Sequence, residues 1–239
     1  MPDKRTRRGP HPKDLSSFEE ATLSLLRQAV GDLSWLKGRG YSPKAALKLV
    51  GDRHALRDRQ RKALQRCAAS DEECAGRAKR CVAIDALAGE TVIVDGYNVI
   101  LTLEAALSGG ILLLARDGVL RDLAALSAHY RRLAVTRPAV ELLVRALAES
   151  KVARVECLLD RPISNSARLK NVIEEIAAAA GATWDVRLSA RTDRDLKISP
   201  HVVASADSAV IDACDRWVNL ARWLVETHLP EAWMVDLSM

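Results

Sequence analysis

From about Ser17 to Lys37 the apolar residues Leu23, Leu26, Val30 and Leu33 recur every three or four positions. That spacing puts them on one face of a helix, and Gly38 and Gly40 end it. Ser42-Pro43 offers a cap followed by a proline suited to a first helical turn. The helix it opens runs through Ala46, Leu47 and Val50 and stops at Gly51. A third helix, Arg57 to Ala69, sets Ala63, Leu64 and Cys67 on one side and Arg57, Arg59, Arg61, Lys62 and Arg66 on the other. The first 89 residues therefore read as helical, with residues 1–15 as a mobile basic tail in which Pro10 and Pro12 oppose regular structure.

The pattern changes after Gly89. TVIVD (91–95), RVECLLD (154–160), WDVRLS (184–189) and HVVAS (201–205) are short runs of β-forming residues. Helical patterns fall between most of them, at Ile111–Leu133, Pro138–Ser150, Ser166–Ala180 and Ser208–His228. Strands alternating with helices imply parallel βαβ units with helices on both faces of a sheet. The link from Ser189 to His201 is too short for a useful crossover helix, which leaves the strand order open there. The expected fold is α/β: a three-layer, Rossmann-like parallel-sheet domain over 90–239, preceded by a small all-helical domain over 16–89.

Charge sharpens this division. Residues 1–89 hold 19 Lys and Arg against 11 Asp and Glu, and the remainder holds 17 against 20. A net of +8 beside a net of −3 suggests a polyanion-binding module next to a carboxylate-bearing one; basic residues that merely solvate helix faces are the plainer alternative. SPKAALKLV, GDRHAL and RDRQRKALQRC read as helix, turn, helix. Arg59, Arg61 and Lys62 of the second helix would then meet a DNA groove or an RNA backbone. The basic N-terminus lacks an apolar segment and no apolar run approaches a membrane span. Five scattered cysteines favour a reduced, cytoplasmic setting. Cys67, Cys74 and Cys81 recur every seven residues, but Asp71-Glu72-Glu73 looks like a helix start that would break their register, and the spacing is wide for zinc.

The candidate chemistry lies at the strand ends. In open parallel sheets, ligands bind beyond the carboxyl ends of the strands. The first run ends in Asp95, the second in Asp160, and HVVAS leads into Ala206-Asp207. Adjacent carboxylates repel and raise one another's pKa. Bound Mg²⁺ or Mn²⁺ would remove that conflict and act on a phosphoryl group. Each aspartate also has a plain role: a turn at Asp95-Gly96, an ion-paired strand end at Asp160, a helix cap at Asp207. In DRPISNSARLK, Ser164, Asn165 and Ser166 precede a helix bearing Arg168 and Lys170, an arrangement suited to phosphate or to ordinary capping. Glu104 would reach the same edge if LEAALSGG is helical. In ARDGVLRDL, Asp117 and Arg121 have the spacing of a surface ion pair on a helix.

VDGYNV at 94–99, with aspartates closing later strands, resembles the PIN-like nuclease superfamily and in particular its NYN branch, over about residues 91–220. The resemblance implies a PIN-like domain with Asp95 as primary metal ligand and Asn98 orienting substrate or a metal-bound water. Asp160 and Asp207 would complete the acidic cluster, with Asp193 or Asp195 as a further member. The whole chain resembles an uncharacterised archaeal and bacterial family catalogued as domains of unknown function 434, for the helical half, and 5616. The stretches that carry this are RGPHPKD, DLSWLKGRGY, ALKLVGDR, RQR, VDGYNVILTLEAALSGG, ARDGVLRDLA and DRPISNSARLK. The expected activity is metal-dependent phosphodiester hydrolysis, of RNA first, with the basic half holding the strand. The alternatives are a nucleic-acid-binding regulator without catalysis and a phosphohydrolase acting on a small molecule.

Overall fold

A computed structural model describes residues 9–123 and 134–238. The helical half comprises α1 (Asp14–Ser17), α2 (Glu20–Gly38), α3 (Pro43–Arg53), α4 (Asp58–Cys67) and α5 (Asp71–Arg80). α5 starts where its acidic run predicts, through a capping box in which Ser70 and Glu73 satisfy each other's backbone N–H. This puts Cys67, Cys74 and Cys81 on different elements. α3 does not stop at Gly51 but runs to Arg53, and the glycine leaves room for the Arg61 guanidinium, which a Cβ would approach to 2.2 Å. Of the expected mobile tail, residues 1–8 lie outside the described residues, while residues 9–15 are described and run into α1 at Asp14. Asp14 is buried and accepts two hydrogen bonds from Arg59, at 2.7 and 2.8 Å.

After a 3₁₀ turn at Ile84–Leu87, the chain continues as β1 (Thr91–Asp95), α6 (Gly96–Leu107), β2 (Leu112–Leu114), β3 (Leu120–Asp122) and α7 (Thr136–Glu149). It goes on through β4 (Arg154–Asp160), α8 (Ser166–Ala179), β5 (Trp184–Ser189), α9 (Thr192–Lys197) and β6 (Val202–Ala204). The last elements are α10 (Ser208–Ile211), β7 (Trp217–Val218), α11 (Leu220–His228) and β8 (Met234–Asp236). β5-β4-β1-β6-β7 form a parallel sheet. One face, with Val92, Val94, Cys157, Leu159 and Ala204, packs on α6, α7, α8 and α11. The other, with Ile93, Leu158 and Val203, packs on Leu196 of α9, Val210 and Ile211 of α10, and Trp217. This is the expected three-layer α/β arrangement.

Three expected elements are revised. Ile111–Leu133 is not one helix: its described part is a β2–β3 hairpin, and residues 124–133 lie outside the described residues. Ala115 and Val119 close the hairpin around Asp117-Gly118, with Gly118 at φ +75°, a conformation glycine adopts without strain. Ser208–His228 is interrupted by β7, because pairing at the sheet edge outweighs the helical spacing of Val210, Ile211 and Cys214. The link after Ser189 does hold a helix. The six residues of α9 cross β4 and β1 and deliver the chain to β6 on the far side of β1.

β2 also pairs with β8, and this small sheet completes the core of the helical half. Ile111, Leu113, Val235 and Leu237 pack among Leu26, Val30, Leu33 and Leu64. Among the described residues, no helix is long and apolar enough to cross a membrane.

Candidate acidic site at the carboxyl edge of the sheet

The VDGYNV motif forms the junction between β1 and α6, and each of its polar positions has a distinct task. Asp95 caps α6, accepting the Asn98 N–H at 3.4 Å. Gly96 lies so close to β4 that a Cβ would sit 2.9 Å from the Leu158 carbonyl oxygen and 2.6 Å from the Leu159 side chain. Tyr97 is buried, with its hydroxyl 2.8 Å from that of Ser166 at the start of α8. The Asn98 side-chain oxygen accepts the Ala206 N–H at 2.7 Å. The motif thus ties the central strand to the segments leaving both neighbouring strands, β4 and β6.

Asp95 remains as the group whose burial nothing fully compensates. It is 8% exposed. Burial pushes its pKa from 3.8 up to about 7; hydrogen bonds from Ser205 and the Asn98 N–H oppose this, and the charges of Asp160 and Asp207 add to it. The Ser205 hydroxyl donates to its Oδ2 at 2.8 Å. Asp160 is also raised, by burial and by the charge of Asp193. The Thr192 hydroxyl beside Asp160 eases its ionised form, yet it is buried and makes no hydrogen bond of good geometry. Asp95, Asp160 and Asp207 therefore share one electrostatic neighbourhood at the strand ends, and α9 brings Asp193 to it. Asp195 turns to Ser189, whose hydroxyl donates to it at 2.5 Å.

Asp207 also caps α10, accepting the N–H groups of Ala209 and Val210 at 2.8 and 3.1 Å through one oxygen. The loop that carries it is held from below. Arg121 donates to the Ala206 carbonyl at 2.9 Å and to the Ser208 hydroxyl at 3.2 Å. Its guanidinium is gripped by Asp117 through two bonds, at 2.8 and 2.7 Å. Arg77 of α5 donates to Asp117 at 2.5 Å and to both oxygens of Asp212 at 2.7 and 2.6 Å. Asp117 and Arg121 are thus a buried pair, not the surface helix pair expected from their spacing. Burial alone would raise Asp117; the hydrogen bonds and charge of Arg121, with the charge of Arg77, hold it below the usual range.

The phosphate-binding expectations fare unevenly. Ser166 is buried, and its hydroxyl donates to the Asp160 and Ile163 carbonyls. Lys170 donates to the Val186 carbonyl at 2.7 Å and pairs with Glu174. Asn165 takes a left-handed conformation ahead of α8, Ser164 is half-buried, and Arg168 is exposed. On α4, Arg59 is committed to Asp14, while Arg61 bonds Leu56 O and Asp52. Lys62 is exposed. Glu104 is buried and accepts a hydrogen bond from Thr136 of α7. His54, for which the sequence offers no partner, meets Asp32 at 2.8 Å.

Sequence reasoning missed Ser205, Thr192 and the loop-holding role of Arg121. Ser205 was accessible as the residue ending HVVAS; the Asp-Gly turn in ARDGV was the available signal for the hairpin that orients Arg121.

The donor set is entirely oxygen, which suits a hard cation. Among the described residues, no three acidic groups stand close enough to hold an ion between them. The arrangement fits the habit of Mg²⁺, which uses one or two carboxylates, keeps several waters and takes further oxygens from a phosphate substrate.

The fold and this acidic edge define an α/β protein of the three-layer, Rossmann-like class, joined to a helical half whose core the small β3-β2-β8 sheet completes. The chain belongs to the family described as Domain of unknown function (DUF5616), whose model matches residues 84–223. The model described as Protein of unknown function (DUF434) matches residues 25–80. "Uncharacterized protein MJ0935" of Methanocaldococcus jannaschii is 28% identical over 186 residues, covering 78% of this chain and 88% of that protein. No solved structure matches the chain.

Proposed function

We propose that the protein is a Mg²⁺- or Mn²⁺-dependent nuclease that hydrolyses phosphodiester bonds in RNA, working in the cytoplasm. The observation that carries this reading is the buried Asp95 carboxylate at the end of the central strand, electrostatically coupled to Asp160 and Asp207. A divalent ion bound there would neutralise this charge and polarise a phosphoryl oxygen. Asp95 and Asp160 are the residues that would hold it, with Asp207 adding its charge to the neighbourhood. Ser205 keeps the Asp95 carboxylate oriented, and Asn98 and Arg121 keep the Ala206–Ser208 loop against it. The five cysteines are free thiols, in keeping with a reducing compartment.

The test is incubation of the purified protein with labelled single-stranded and structured RNA, with Mn²⁺ or with EDTA. Cleavage should require the metal and fall roughly 100-fold or more in Asp95→Asn. Cleavage in EDTA, or full activity in Asp95→Asn, overturns the mechanism. Small phosphoesters in parallel would reveal a phosphohydrolase instead.

A second reading is a nucleic-acid-binding protein without catalysis. What favours it is that Asn98 and one oxygen of Asp207 are spent on backbone N–H groups. It requires salt-dependent RNA binding that survives Asp95→Asn and Asp160→Asn together.

A further inference from the structure

The basic face of α4 is a poor strand-binding surface, because Arg59 and Arg61 are engaged within the molecule. A different feature of the helical half has the shape for a ligand. Between the C-terminal part of α2 and the first turn of α5 lies a cleft of about 330 Å³, within the range of small-molecule sites. Gly31, Ser34 and Gly38 of α2 line it. Their small side chains let a flat group approach the helix backbone.

Trp35 lines the same cleft and is 53% exposed, although an indole is usually well buried. The Arg39 guanidinium lies 3.5 Å from the centroid of its ring. Arg39 has no carboxylate partner among the described residues; its one hydrogen bond goes to the Trp35 carbonyl at 3.4 Å. Across the cleft, Arg116 is held by the Ala69 carbonyl at 2.7 Å and by Asp71 at 2.6 Å. Asp71 and Glu72 bring carboxylates to that side, and the Asp71 side chain is 93% exposed. Tyr41, 54% exposed, follows directly after α2.

This combination selects for a particular chemistry. An indole with one face covered by a guanidinium and about half its surface exposed offers its other face to another flat ring, and the guanidinium supplies a cation for a phosphate. Carboxylates nearby accept N–H groups from a base edge and repel a bare phosphate backbone. A paired base inside a duplex could not enter. We propose that this cleft receives an unpaired base of single-stranded RNA, with Trp35 as the stacking platform and Arg39 contacting the adjoining phosphate. The proposal rests on the RNA reading above but requires no catalysis.

The test is fluorescence anisotropy with a labelled single-stranded RNA of about a dozen nucleotides, and with a blunt duplex of the same sequence, in EDTA so that nothing is cleaved. Removing a stacking platform weakens base binding, so Trp35→Ala should weaken single-strand binding about tenfold with an unchanged melting temperature. Trp35→Phe should recover most of the affinity. Arg39→Ala should reduce the salt dependence, since it removes a phosphate contact. Single-strand affinity in a folded Trp35→Ala protein equal to that of the unmodified chain overturns the cleft and leaves the nuclease reading intact, as does equal, Trp35-dependent binding of the duplex. Failure of the unmodified protein to bind any RNA in EDTA overturns the cleft, and the cleavage assay with Mn²⁺ decides the nuclease reading separately. Trp35-dependent binding without Mn²⁺-dependent cleavage upholds the cleft and rejects the nuclease.

Discussion

Asp95 occupies a position where an ionised carboxylate is costly, and this makes its titration measurable. The unfolded chain releases the proton near pH 3.8, whereas the folded, metal-free protein retains it to about 7. Between those values the unfolded state is the one that ionises. Stability contributed by the protonated Asp95 is therefore lost as pH rises from about 4 to about 7, and the loss is complete above that. At 1.36 kcal/mol per unit the shift corresponds to about 4 kcal/mol. Asp95→Asn should flatten that part of the stability–pH curve and raise the metal-free melting temperature at pH 8 relative to pH 5, while removing the expected activity. Urea unfolding across pH 4–8 measures it; parallel curves for the two proteins would refute the assignment. Mn²⁺ should stabilise the unmodified protein more at pH 8 than at pH 5.5, because the ion must displace a proton at the lower pH.

At the scale of elements, the β1–α6 junction shows why Asp-Gly here is more than a turn. Gly96 is needed for close approach to β4, and its φ is not left-handed. Gly96→Ala should cost about 3 kcal/mol, the upper range for overpacking, because one of the contacts is a backbone oxygen that cannot rotate away. A denaturation midpoint within error of the unmodified protein would contradict this. Four of the five strands of the main sheet, their parallel arrangement and most helices were legible from apolar runs and spacing, whereas the three-residue β8 was too short to be read. The hairpin was not legible, because ILLLA has the composition of a helix as much as of a strand. The break before β7 was not, because its apolar positions satisfy both periods. Of the acidic site, Asp95, Asp160 and Asp207 could be read as strand-end carboxylates. The contact of Ser205 with Asp95 and the roles of Thr192 and Arg121 could not, since they depend on which strand neighbours which.

For the molecule as a whole, the two halves are less separable than charge and composition suggest. The helical core is completed by Ile111, Leu113, Val235 and Leu237, and Arg77 of α5 is buried beneath the acidic loop. Residues 84–239 expressed alone should fail to fold cooperatively, as should residues 1–83. Circular dichroism melts and limited proteolysis of both fragments test this, and a sharp melt of either fragment would count against it. Arg77→Ala should destabilise by about 3 kcal/mol or more, because it leaves part of the charge on Asp117 and Asp212 uncompensated. In folded protein it should also lower the activity expected of the site by loosening Arg121 and the Ala206–Ser208 loop. Chemical denaturation and RNA cleavage on the same preparation separate the two effects.

Local chemistry by itself determined the helical character of residues 14–80, the parallel α/β class of the later part, and the placing of aspartates at strand ends. Such features depend on spacing and on the preferences of neighbouring residues, which a linear chain records. The tertiary structure decided that β6 lies beside β1 and that Asp160, Asp193 and Asp207 raise or crowd the site around Asp95. It also decided which basic residues are spent: Arg59, Arg61, Arg77 and Arg121 are committed inside, while Trp35 and Arg39 face a cleft. Those outcomes depend on desolvation and on partners distant in sequence, and neither exists until the sheet has assembled.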